Sequence, residues 1–359
     1  MRVLYFGTYD PNYVRNWVLI NGLKRNGVEV LECRDKLSKL GLLKLAFGYL
    51  KIKKDFDVMV VGFPGQEVMF LARLLTLRLF SRQARKPIIF DAFTSHYGGY
   101  ILDRQKFSKN SFHAYYYRFL DKWSCRLADM VLLDTNAHIN FFIKEYNLSK
   151  EKFRRVWVGV PTEKIEIVGV KSEADRFRVV FLGTYIPLHG VEFIVKAAKI
   201  LESYPDIIFT LIGNGQEKKK IEHLVKELGL KNIIFHGMLS IESLRQEMAN
   251  SDVCLGIFGA SPKTFLVIPN KIYEAVALGK PVITADTEAI RELFDENDMM
   301  LVPNANAEAL AVAVIKLKND TVLKDKLAAS AHKKFLTLLT YPVIGKELVN
   351  IIKTYLLEP

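Results

Sequence analysis

Short apolar runs rich in β-branched residues alternate with helical stretches along the whole 359-residue sequence. This alternation is typical of βαβ units, in which a helix connects two parallel strands. Strands are predicted near Val3–Phe6, Val28–Leu31, Val58–Val61, Ile88–Phe90, Met130–Leu133, Val156–Val158, Arg178–Leu182, Ile207–Ile212, Ile233–Phe235, Val253–Ile257, Val282–Thr284 and Met299–Val302. Six strands in each half predict an α/β protein made of two Rossmann-like domains.

The two halves also repeat one local sequence. The first strand runs into Gly7-Thr8-Tyr9-Asp10-Pro11, and the seventh runs into Gly183-Thr184-Tyr185-Ile186-Pro187. A helical stretch follows each copy, which is the arrangement that duplicated Rossmann-like domains would give. We therefore predict an N-terminal domain over residues 1–165 and a second domain over residues 166–340. A helix over residues 341–359 is expected to pack back across the junction.

Ligands of open α/β sheets bind at the carboxyl ends of the strands, so we expect the two domains to face each other across a ligand-binding cleft.

The charge of the chain is concentrated in its first half. Residues 1–165 contain 28 Lys and Arg against 15 Asp and Glu, whereas residues 166–359 contain 23 against 24. A basic half indicates an anionic partner, which can be a nucleic acid, an acidic membrane surface or a phosphorylated substrate. No nucleic-acid recognition motif with base-stacking spacing is found, so nucleic acid is not expected as a partner.

Composition excludes several other classes of protein. The three cysteines, Cys33, Cys125 and Cys254, are far apart, which argues against a disulfide framework or a zinc site. The N-terminus begins directly with a predicted strand, so no signal peptide is expected, and no apolar run is long enough to span a membrane. A cytoplasmic protein is the expectation, with no metal and no cofactor.

The segment Pro269–Thr284 carries the clearest functional pattern. Its sequence predicts a short helix with Asn270 at the N-cap and Gly279 just beyond the C-terminus. Lys271 and Glu274 would share one face of that helix. The N–H groups of a helix N-terminus and a nearby lysine suit a diphosphate, and a carboxylate one turn later can bind ribose hydroxyls. The alternative is an exposed i,i+3 ion pair.

This segment resembles the signature of the group 1 (family 4) retaining glycosyltransferases, roughly Pro-x-Lys-x-x-Glu-Ala-x-Ala-x-Gly-x-Pro-Val-Ile. The resemblance extends over essentially the whole chain and implies the GT-B fold, with a nucleotide-sugar donor bound by the second domain. By this resemblance, Glu274 holds the ribose and the helix that begins at Asn270 faces the diphosphate. The other donor-site positions that it implies are Gly7, Thr8, Gly183, Thr184, His189, Gly190, Gly213, Asn214 and Lys271.

The sequence departs from the common family pattern at three positions. Leu266 replaces a glutamate that normally contacts the donor sugar, while Thr184 and His189 replace an arginine and a lysine that bind the diphosphate. The loop Gly-Thr-Tyr-x-Pro-Leu-His-Gly resembles that of a variant group within the family, which carries a lysine at the position of Lys263. Lys263 is thus the expected replacement cation and a candidate catalytic residue, unless it is a solvated loop lysine.

Gly213-Asn214-Gly215 gives only a weak signal for a dinucleotide cofactor, because position 218 is Lys rather than Gly.

Candidates in the N-terminal domain follow the fourth predicted strand. The resemblance implies a histidine or an acid close to the transferred sugar, and His96 is the catalytic candidate there, with Asp91 beside it. The alternatives are a surface histidine and an aspartate that caps the loop. Asp103-Arg104 and Asp134-Thr135 also resemble the variant group, but the sequence assigns them no role.

Two basic amphipathic stretches account for much of the charge asymmetry. Residues Lys36–Lys54 hold six lysines and no acid among many leucines, and a second Leu-rich run carries Arg73, Arg78, Arg82, Arg85 and Lys86. They are either core helices with solvated basic edges or a surface that rests on an anionic membrane.

The sequence therefore predicts a metal-independent, retaining glycosyltransferase that moves a hexosyl or related group from a nucleoside-diphosphate sugar. The expected acceptor is a lipid-linked glycan or another cell-envelope polysaccharide precursor. Two alternatives stay open, a nucleotide-sugar epimerase and a non-catalytic nucleotide-binding scaffold of a polysaccharide-assembly complex.

Overall fold

The computed structural model describes residues 1–52, 55–77, 85–161 and 176–357 of the chain. These residues form six strands in each half of the chain, which confirms the predicted number. The strands are β1 (Arg2–Gly7), β2 (Glu29–Arg34), β3 (Val58–Val61), β4 (Ile88–Asp91), β5 (Met130–Leu133), β6 (Phe153–Arg155), β7 (Phe177–Leu182), β8 (Ile207–Ile212), β9 (Ile233–His236), β10 (Val253–Leu255), β11 (Val282–Ala285) and β12 (Met300–Val302).

Helices connect most of these strands. The α-helices of the described ranges are α1 (Val14–Arg25), α2 (Lys39–Ile52), α3 (Met69–Thr76), α4 (Phe112–Leu127), α5 (Asn136–Tyr146), α6 (Val191–Ile200), α7 (Lys218–Glu227), α8 (Ile241–Ala249), α9 (Asn270–Ala277), α10 (Glu288–Arg291), α11 (Ala307–Asn319), α12 (Thr321–Lys334) and α13 (Tyr341–Leu357). Short 3₁₀ turns occur at Lys150–Lys152, Pro187–His189, Leu201–Ser203 and Pro262–Phe265, and π-helical turns occur at Gly98–Asp103 and Phe335–Leu339.

The strands form two separate six-stranded sheets, in the orders β2-β1-β3-β4-β5-β6 and β12-β11-β10-β7-β8-β9. Every strand pairing in both sheets of the described structure is parallel. The chain order reverses between β1 and β3 in the first sheet and between β7 and β10 in the second. In open α/β sheets a ligand binds at such a reversal, outside the carboxyl ends of the strands. The predicted fold class, an α/β protein with two Rossmann-like sheets, is confirmed.

The chain divides into two compact units. The first consists of Met1–Ile101, Gln105–Pro161 and Leu339–Pro359, and the second consists of Leu102–Arg104 and Thr162–Leu338. The predicted boundary at residue 165 lies in residues 162–175, outside the described residues. Helix α13 packs against α1 within the first unit. The sequence did not predict that residues 102–104 belong to the second unit.

Each unit has its own hydrophobic core. The first core is built on strands such as β3, β4 and β5, in which every residue is buried, and the second is built on β7, β8 and their covering helices. Strands that are buried on both faces are apolar throughout, because helices cover both sides of a parallel sheet. Continuous apolar runs therefore made these strands visible in the sequence.

The sixth strand was predicted three residues too late, at Val156–Val158, whereas β6 spans Phe153–Arg155. The Val156 N–H still donates to Leu133 O (2.9 Å). The carbonyl groups of Val156 and Trp157, however, accept hydrogen bonds from Arg15 Nη1 (2.6 and 2.9 Å), so these residues turn away from the sheet. A buried arginine from α1 thus ends the strand, and the apolar pattern alone could not reveal this.

Helices α1 and α13 approach each other closely at two glycines. A methyl group added to Gly345 of α13 would lie 2.2 Å from the carbonyl oxygen of Gly22 in α1. No other residue type fits this crossing without movement of one helix. The predicted C-terminal helix is therefore held by backbone-to-backbone contact.

None of the helices in the described ranges combines sufficient length with sufficient apolar character to cross a bilayer. Cys33, Cys125 and Cys254 are all buried free thiols.

Candidate functional site

Helix α9 follows β10 and precedes β11 in the chain. It starts beside the chain reversal of the second sheet, which lies between β7 and β10. Pro269 has an extended backbone (φ −70°, ψ 148°) and occupies the N-cap, so Asn270 is the first helical residue and its prediction as the N-cap is wrong. The C-terminal end of α9 is as predicted. Gly279 has a left-handed backbone (φ 62°), and the Lys280 N–H donates to Ala275 O, which terminates the helix.

Lys271 and Glu274 do not form the exposed ion pair that the spacing allowed. Both residues are 94 % buried, since each is only 6 % exposed. Glu274 instead accepts two hydrogen bonds from Arg245 of α8, Nε to Oε2 at 2.9 Å and Nη2 to Oε1 at 3.1 Å. This bidentate pair fixes the orientation of the carboxylate. Glu274, which the resemblance expects to hold the ribose, is therefore oriented by Arg245, a partner that the sequence did not show.

The Lys271 ammonium group lies against the glycine loop that follows β7. A methyl group added to Gly183 would lie 2.8 Å from Lys271 Nζ. The Nζ atom is 3.8 Å from the ring centroid of Phe181 and has no hydrogen-bond partner among the described residues. Burial lowers the pKa of Lys271 well below its ordinary value of 10.5. A buried ammonium without an anionic partner is costly, which makes this position a candidate binding site for an anion.

His189 lies on the other side of Gly183. Its ring would be 3.0 Å from the added methyl group, and its Nδ1 hydrogen-bonds to the carbonyl oxygen of Thr184. Burial, followed by the nearby positive charge of Lys271, lowers the pKa of His189 well below 6.5. The imidazole is therefore neutral at neutral pH, and the acceptor carbonyl places its proton on Nδ1. Gly183, His189 and Lys271 form one cluster at the end of β7.

The glycine turn after β8 packs directly on this cluster. A methyl group on Gly213 would lie 2.0 Å from Gly183 O, so the two loops touch through their backbones. Asn214 O accepts from the Tyr185 N–H (3.0 Å), and Asn214 Oδ1 accepts from the Gly215 N–H (2.8 Å). Gly213 and Asn214 therefore shape the loop, while the exposed Thr184 offers its carbonyl oxygen to His189.

The loop after β10 completes this side of the second unit. Gly190 has a left-handed backbone (φ 60°), and a methyl group there would lie 2.5 Å from Gly259 N. The partly buried Lys263 lies in the 3₁₀ turn Pro262–Phe265, close enough to Asp103 and His189 for its charge to act on both. Lys263 is therefore not an isolated loop lysine.

The predicted residues of the first unit lie at the reversal of the first sheet or after β4. Gly7 ends β1 with φ 135°, and Thr8 Oγ1 donates to Pro64 O at 3.4 Å. His96 is partly buried, with its ring centroid 5.8 Å from that of Tyr100 and its Nδ1 3.8 Å from Glu67 Oε1. His96 is thus enclosed by other side chains and is not a surface histidine.

Three acids that the sequence singled out have structural partners. Asp91 is completely buried and pairs with Arg15 (2.8 Å), so it neither caps the loop nor reaches a ligand. Asp134 Oδ1 pairs with His138 Nδ1 at 2.8 Å, and Thr135 caps α5 by accepting from the His138 N–H. Asp103, by contrast, belongs to the second unit and contacts the loops after β7 and β10.

Arg245 is the functional residue that sequence reasoning missed. It belongs to α8, which carries no recognisable motif, and only its burial and its bidentate pairing with Glu274 reveal its importance. Across the described ranges no group of three or more His, Cys, Asp or Glu side chains could hold a metal ion.

Comparison with known proteins relates the second unit to one family. Residues 176–320 match the family model described as "Glycosyl transferases group 1". The lipopolysaccharide core biosynthesis glycosyltransferase LpsD of Rhizobium meliloti is 25 % identical over 49 % of this chain and 49 % of its own length. The phosphatidyl-myo-inositol mannosyltransferase of Mycobacterium leprae is 26 % identical over 49 % and 46 %, respectively. The chain thus spans about half the length of these curated relatives.

The whole chain resembles solved structures. The structure of Anabaena HepE in complex with UDP superposes with a TM-score of 0.73, at 16 % identity, over 99 % of this chain and all of HepE. This likeness shows the two-domain GT-B fold. Together, the family model and the sequence relatives show that residues 176–320 are similar to the group 1 glycosyltransferases.

Proposed function

We propose that the chain transfers a glycosyl group from a nucleoside-diphosphate sugar to an acceptor. The observation that carries this proposal is the buried Lys271 ammonium, which has no hydrogen-bond partner among the described residues and lies against Gly183. It lies at the chain reversal of the second sheet, where Rossmann-like folds bind nucleotides. A diphosphate beside Gly183 would supply the missing negative charge.

The relatives support the choice of ligand and acceptor. HepE, the structural neighbour, was solved with UDP and with UDP-glucose. LpsD is named for lipopolysaccharide core biosynthesis, and the mycobacterial relative is named for a phosphatidylinositol acceptor. We therefore propose a nucleotide-sugar donor and a glycan or lipid-linked acceptor. Retention of configuration, proposed from the family resemblance, and independence of metal and cofactor belong to the same proposal.

The proposed reaction breaks the bond between the sugar C1 and the diphosphate oxygen and forms a bond between C1 and an acceptor oxygen. The diphosphate leaves with the electron pair of the broken bond, and the acceptor hydroxyl loses a proton. Lys271, Lys263 and the N-terminus of α9 would stabilise the negative charge that develops on the leaving group. Glu274, oriented by Arg245, would bind the ribose, and His96 is proposed to act on the acceptor side.

A donor panel followed by two variants tests this function. Thermal shifts are measured with UDP-glucose, GDP-mannose, ADP-glucose and TDP-glucose, since a ligand that binds the folded state raises its stability. Glu274→Ala and Lys263→Ala should each weaken binding of the selected donor by about tenfold or more, because hydrogen bonds to charged groups contribute about 1.5–3 kcal/mol. Lys231→Ala, at an exposed lysine before β9, is the control and should bind normally.

The outcomes also separate the rival functions. An epimerase would convert the donor with no acceptor present, and a scaffold would bind nucleotide without transferring or hydrolysing the sugar. Donor affinity and transfer near the wild-type level in both Glu274→Ala and Lys263→Ala would overturn the site assignment. Absence of any shift in the panel would overturn the proposed function itself.

We also propose that the first unit binds an anionic membrane surface, because three of its neighbouring helices expose large apolar side chains. On α2, Leu40, Leu43, Phe47 and Leu50 repeat at helical spacing on the exposed side, and Phe47 is 64 % exposed. Helix α3 lies next to α2 and to α4, and its Phe70 ring stacks on Phe119 of α4 at 5.9 Å. This apolar helical face comprises Leu40, Leu43, Phe47, Leu50, Phe70, Leu74, Phe112, Tyr115, Tyr116, Phe119 and Trp123.

The charges around the apolar helical face fit an anionic surface. Exposed basic residues flank it, among them Lys39, Lys44 and Lys51 of α2, whereas neither α2 nor α3 contains an acid. The only acid of α4, Asp121, is buried. Part of the second basic stretch is neutralised, because Arg73 and Arg85 both pair with Asp129. Arg78, Arg82 and the last two lysines of the first stretch lie outside the described residues.

Vesicle flotation tests the membrane proposal. The protein should float with vesicles containing anionic phosphatidylglycerol and less with neutral phosphatidylcholine, and the preference should fall with rising salt. Phe47→Glu should reduce flotation strongly, while Val322→Glu, at an even more exposed apolar residue of α12, should leave it unchanged. No preference for anionic vesicles would contradict the proposal.

A further inference from the structure

Asp103 is a buried acid that the proposed function has not used. It ends the π-helical turn Gly98–Asp103 and belongs to the second unit, where it is 1 % exposed. Its Oδ1 atom accepts two hydrogen bonds of 2.8 Å, one from the Leu188 N–H and one from the Ser261 hydroxyl. Two loops of the second unit therefore hold this carboxylate in a fixed orientation.

The second oxygen of this carboxylate is unused. Oδ2 is buried and accepts no hydrogen bond from the described residues. Burial raises the pKa of Asp103, while the Ser261 hydroxyl, Lys263, the Leu188 N–H and Arg104 favour its ionised form. An unsatisfied buried acceptor destabilises a folded protein, so such a group in a native structure needs an explanation, and a bound ligand provides one. Oδ2 is therefore a hydrogen-bond acceptor for which the described residues supply no donor.

The position of Asp103 relates it to the proposed donor site. Leu188 immediately precedes His189, whose ring touches Gly183 alongside Lys271 Nζ. Ser261 precedes Lys263 by two residues on the neighbouring loop. A carboxylate repels the phosphates that Lys271 attracts, so Oδ2 does not suit the phosphates, whereas it suits an uncharged hydrogen-bond donor attached to them. A sugar hydroxyl has this chemistry, since it donates one hydrogen and carries no charge.

We propose that Asp103 is a specificity-determining residue whose Oδ2 accepts a hydrogen bond from a hydroxyl group of the donor sugar. This inference rests on the proposed function, because it requires a nucleotide sugar in the second unit. It assigns the sugar subsite to the loops that carry Leu188 and Ser261. It also assigns a function to residues 102–104, which belong to the second unit although the residues before and after them belong to the first.

Calorimetry on the full chain can separate the sugar from the nucleotide. Two probes are used. The first is the nucleotide sugar that binds most tightly among UDP-glucose, GDP-mannose, ADP-glucose and TDP-glucose. The second is the nucleoside diphosphate of that same donor, without the sugar. Asp103→Asn keeps the Oδ1 acceptor but replaces Oδ2 by an amide group that cannot accept a hydrogen bond. We expect it to weaken binding of the nucleotide sugar by about tenfold to a hundredfold and binding of the nucleoside diphosphate by less than about twofold.

Donor analogues that each lack one sugar hydroxyl identify the group involved. One of them should bind the wild-type protein more weakly by the same factor, and Asp103→Asn should bind that analogue and the full donor equally. Asp298→Asn is the matched control. Asp298 is also 1 % exposed in the second unit, but both of its oxygens have partners, which include Ser330 and Lys334. This variant should lower stability and keep the ratio of the two affinities.

Three results would overturn the inference. Equal weakening of the nucleotide sugar and the nucleoside diphosphate by Asp103→Asn would show a structural role only. Unchanged affinity for both would show that Oδ2 contacts no ligand. A wild-type chain that binds none of the four nucleotide sugars would overturn the proposed function as well, which distinguishes that failure from the other two.

Discussion

Individual side chains of the second unit are buried at a cost in stability, which fits the proposed ligand binding. Lys271 is the clearest case, because its ammonium group is buried against Phe181 and Gly183 with no hydrogen-bond partner in the described structure. A residue that only stabilised the fold would be apolar at this position. Residues that destabilise the free protein are a recurrent feature of functional sites, where the ligand supplies the missing interaction.

We predict opposite effects of Lys271→Met on stability and on binding. Methionine has a similar length but no charge to desolvate, so the free energy of unfolding of the ligand-free protein should rise by about 1–3 kcal/mol. Affinity for the nucleoside diphosphate should fall by about tenfold to a hundredfold, because a charged contact to phosphate is lost. Denaturant unfolding and calorimetry measure the two quantities.

The matched control for this variant is Lys280→Met. Lys280 lies just beyond α9, and its Nζ donates to Ala249 O at 2.9 Å. Its replacement should lower stability and leave nucleotide affinity unchanged. A loss of stability in Lys271→Met would show that the ammonium is satisfied in the free protein, against our interpretation.

Donor binding should be accompanied by proton uptake. The pKa values of Lys271 and His189 lie well below 10.5 and 6.5 in the folded protein, chiefly because both groups are buried. Between each lowered pKa and its ordinary value, the unfolded chain binds more protons, so stability rises with pH across that window. A bound diphosphate raises both pKa values, and binding therefore takes up protons and weakens as pH rises.

Calorimetry in buffers of different ionisation enthalpy measures this uptake. We expect a positive number of protons bound with the nucleoside diphosphate at a pH between the lowered pKa of Lys271 and 10.5, and fewer in Lys271→Met. An affinity that is independent of pH, with no proton uptake in the wild type, would contradict the predicted coupling.

At the scale of elements, the sequence predicted best where one physical signal acts alone. Helix α13 begins at the predicted residue, Tyr341, because its apolar periodicity and its core position agree. Strand β6 was misplaced because Arg15, far away in sequence, takes the carbonyl groups of Val156 and Trp157. The local pattern of apolar residues indicates which residues are buried, but it does not indicate which distant side chain hydrogen-bonds to their backbone carbonyl groups.

The same distinction applies to the candidate site. Residues fixed by turn geometry, such as Gly183, Gly190 and Gly279, were predictable because left-handed or otherwise strained backbone favours glycine. The pairing of Glu274 with Arg245 was not, since the two residues belong to different helices. Asp103 was noticed but unassigned, because its partners Leu188 and Ser261 follow it by 85 and 158 positions.

The crossing of α1 and α13 allows an element-scale prediction. Gly345→Ala should lower the free energy of unfolding by about 1–3 kcal/mol or more, because the added methyl group would lie 2.2 Å from Gly22 O and the helices must separate. Chemical denaturation measures the effect. Gly237→Ala, where nothing lies within 4 Å of the added methyl group, should be close to neutral. Equal effects of the two changes would show that the crossing is not tightly packed.

At the scale of the whole molecule, the two units use one plan. Each sheet reverses its chain order beside its first strand, and a glycine with positive φ ends or directly follows each first strand, Gly7 at 135° and Gly183 at 149°. The two units differ in the side chains that they carry on this shared topology. Exposed apolar and basic side chains are concentrated in the helices of the first, whereas the buried unpartnered Lys271 Nζ and Asp103 Oδ2 atoms belong to the second. This division supports separate acceptor-side and donor-side roles, as proposed above.

The division also predicts how the chain responds to loss of its C-terminal helix. Helix α13 buries Ile344, Leu348 and Ile352 within the first unit, so a chain that ends at Thr340 should lose protection from hydrogen exchange in the first sheet. Strands β7 to β12 should keep their protection, and affinity for the nucleoside diphosphate should change by less than about threefold. Leu348→Ala, which costs about 2–5 kcal/mol in a packed core, should give the same pattern more mildly. Loss of protection in both sheets would show instead that the two units unfold as one.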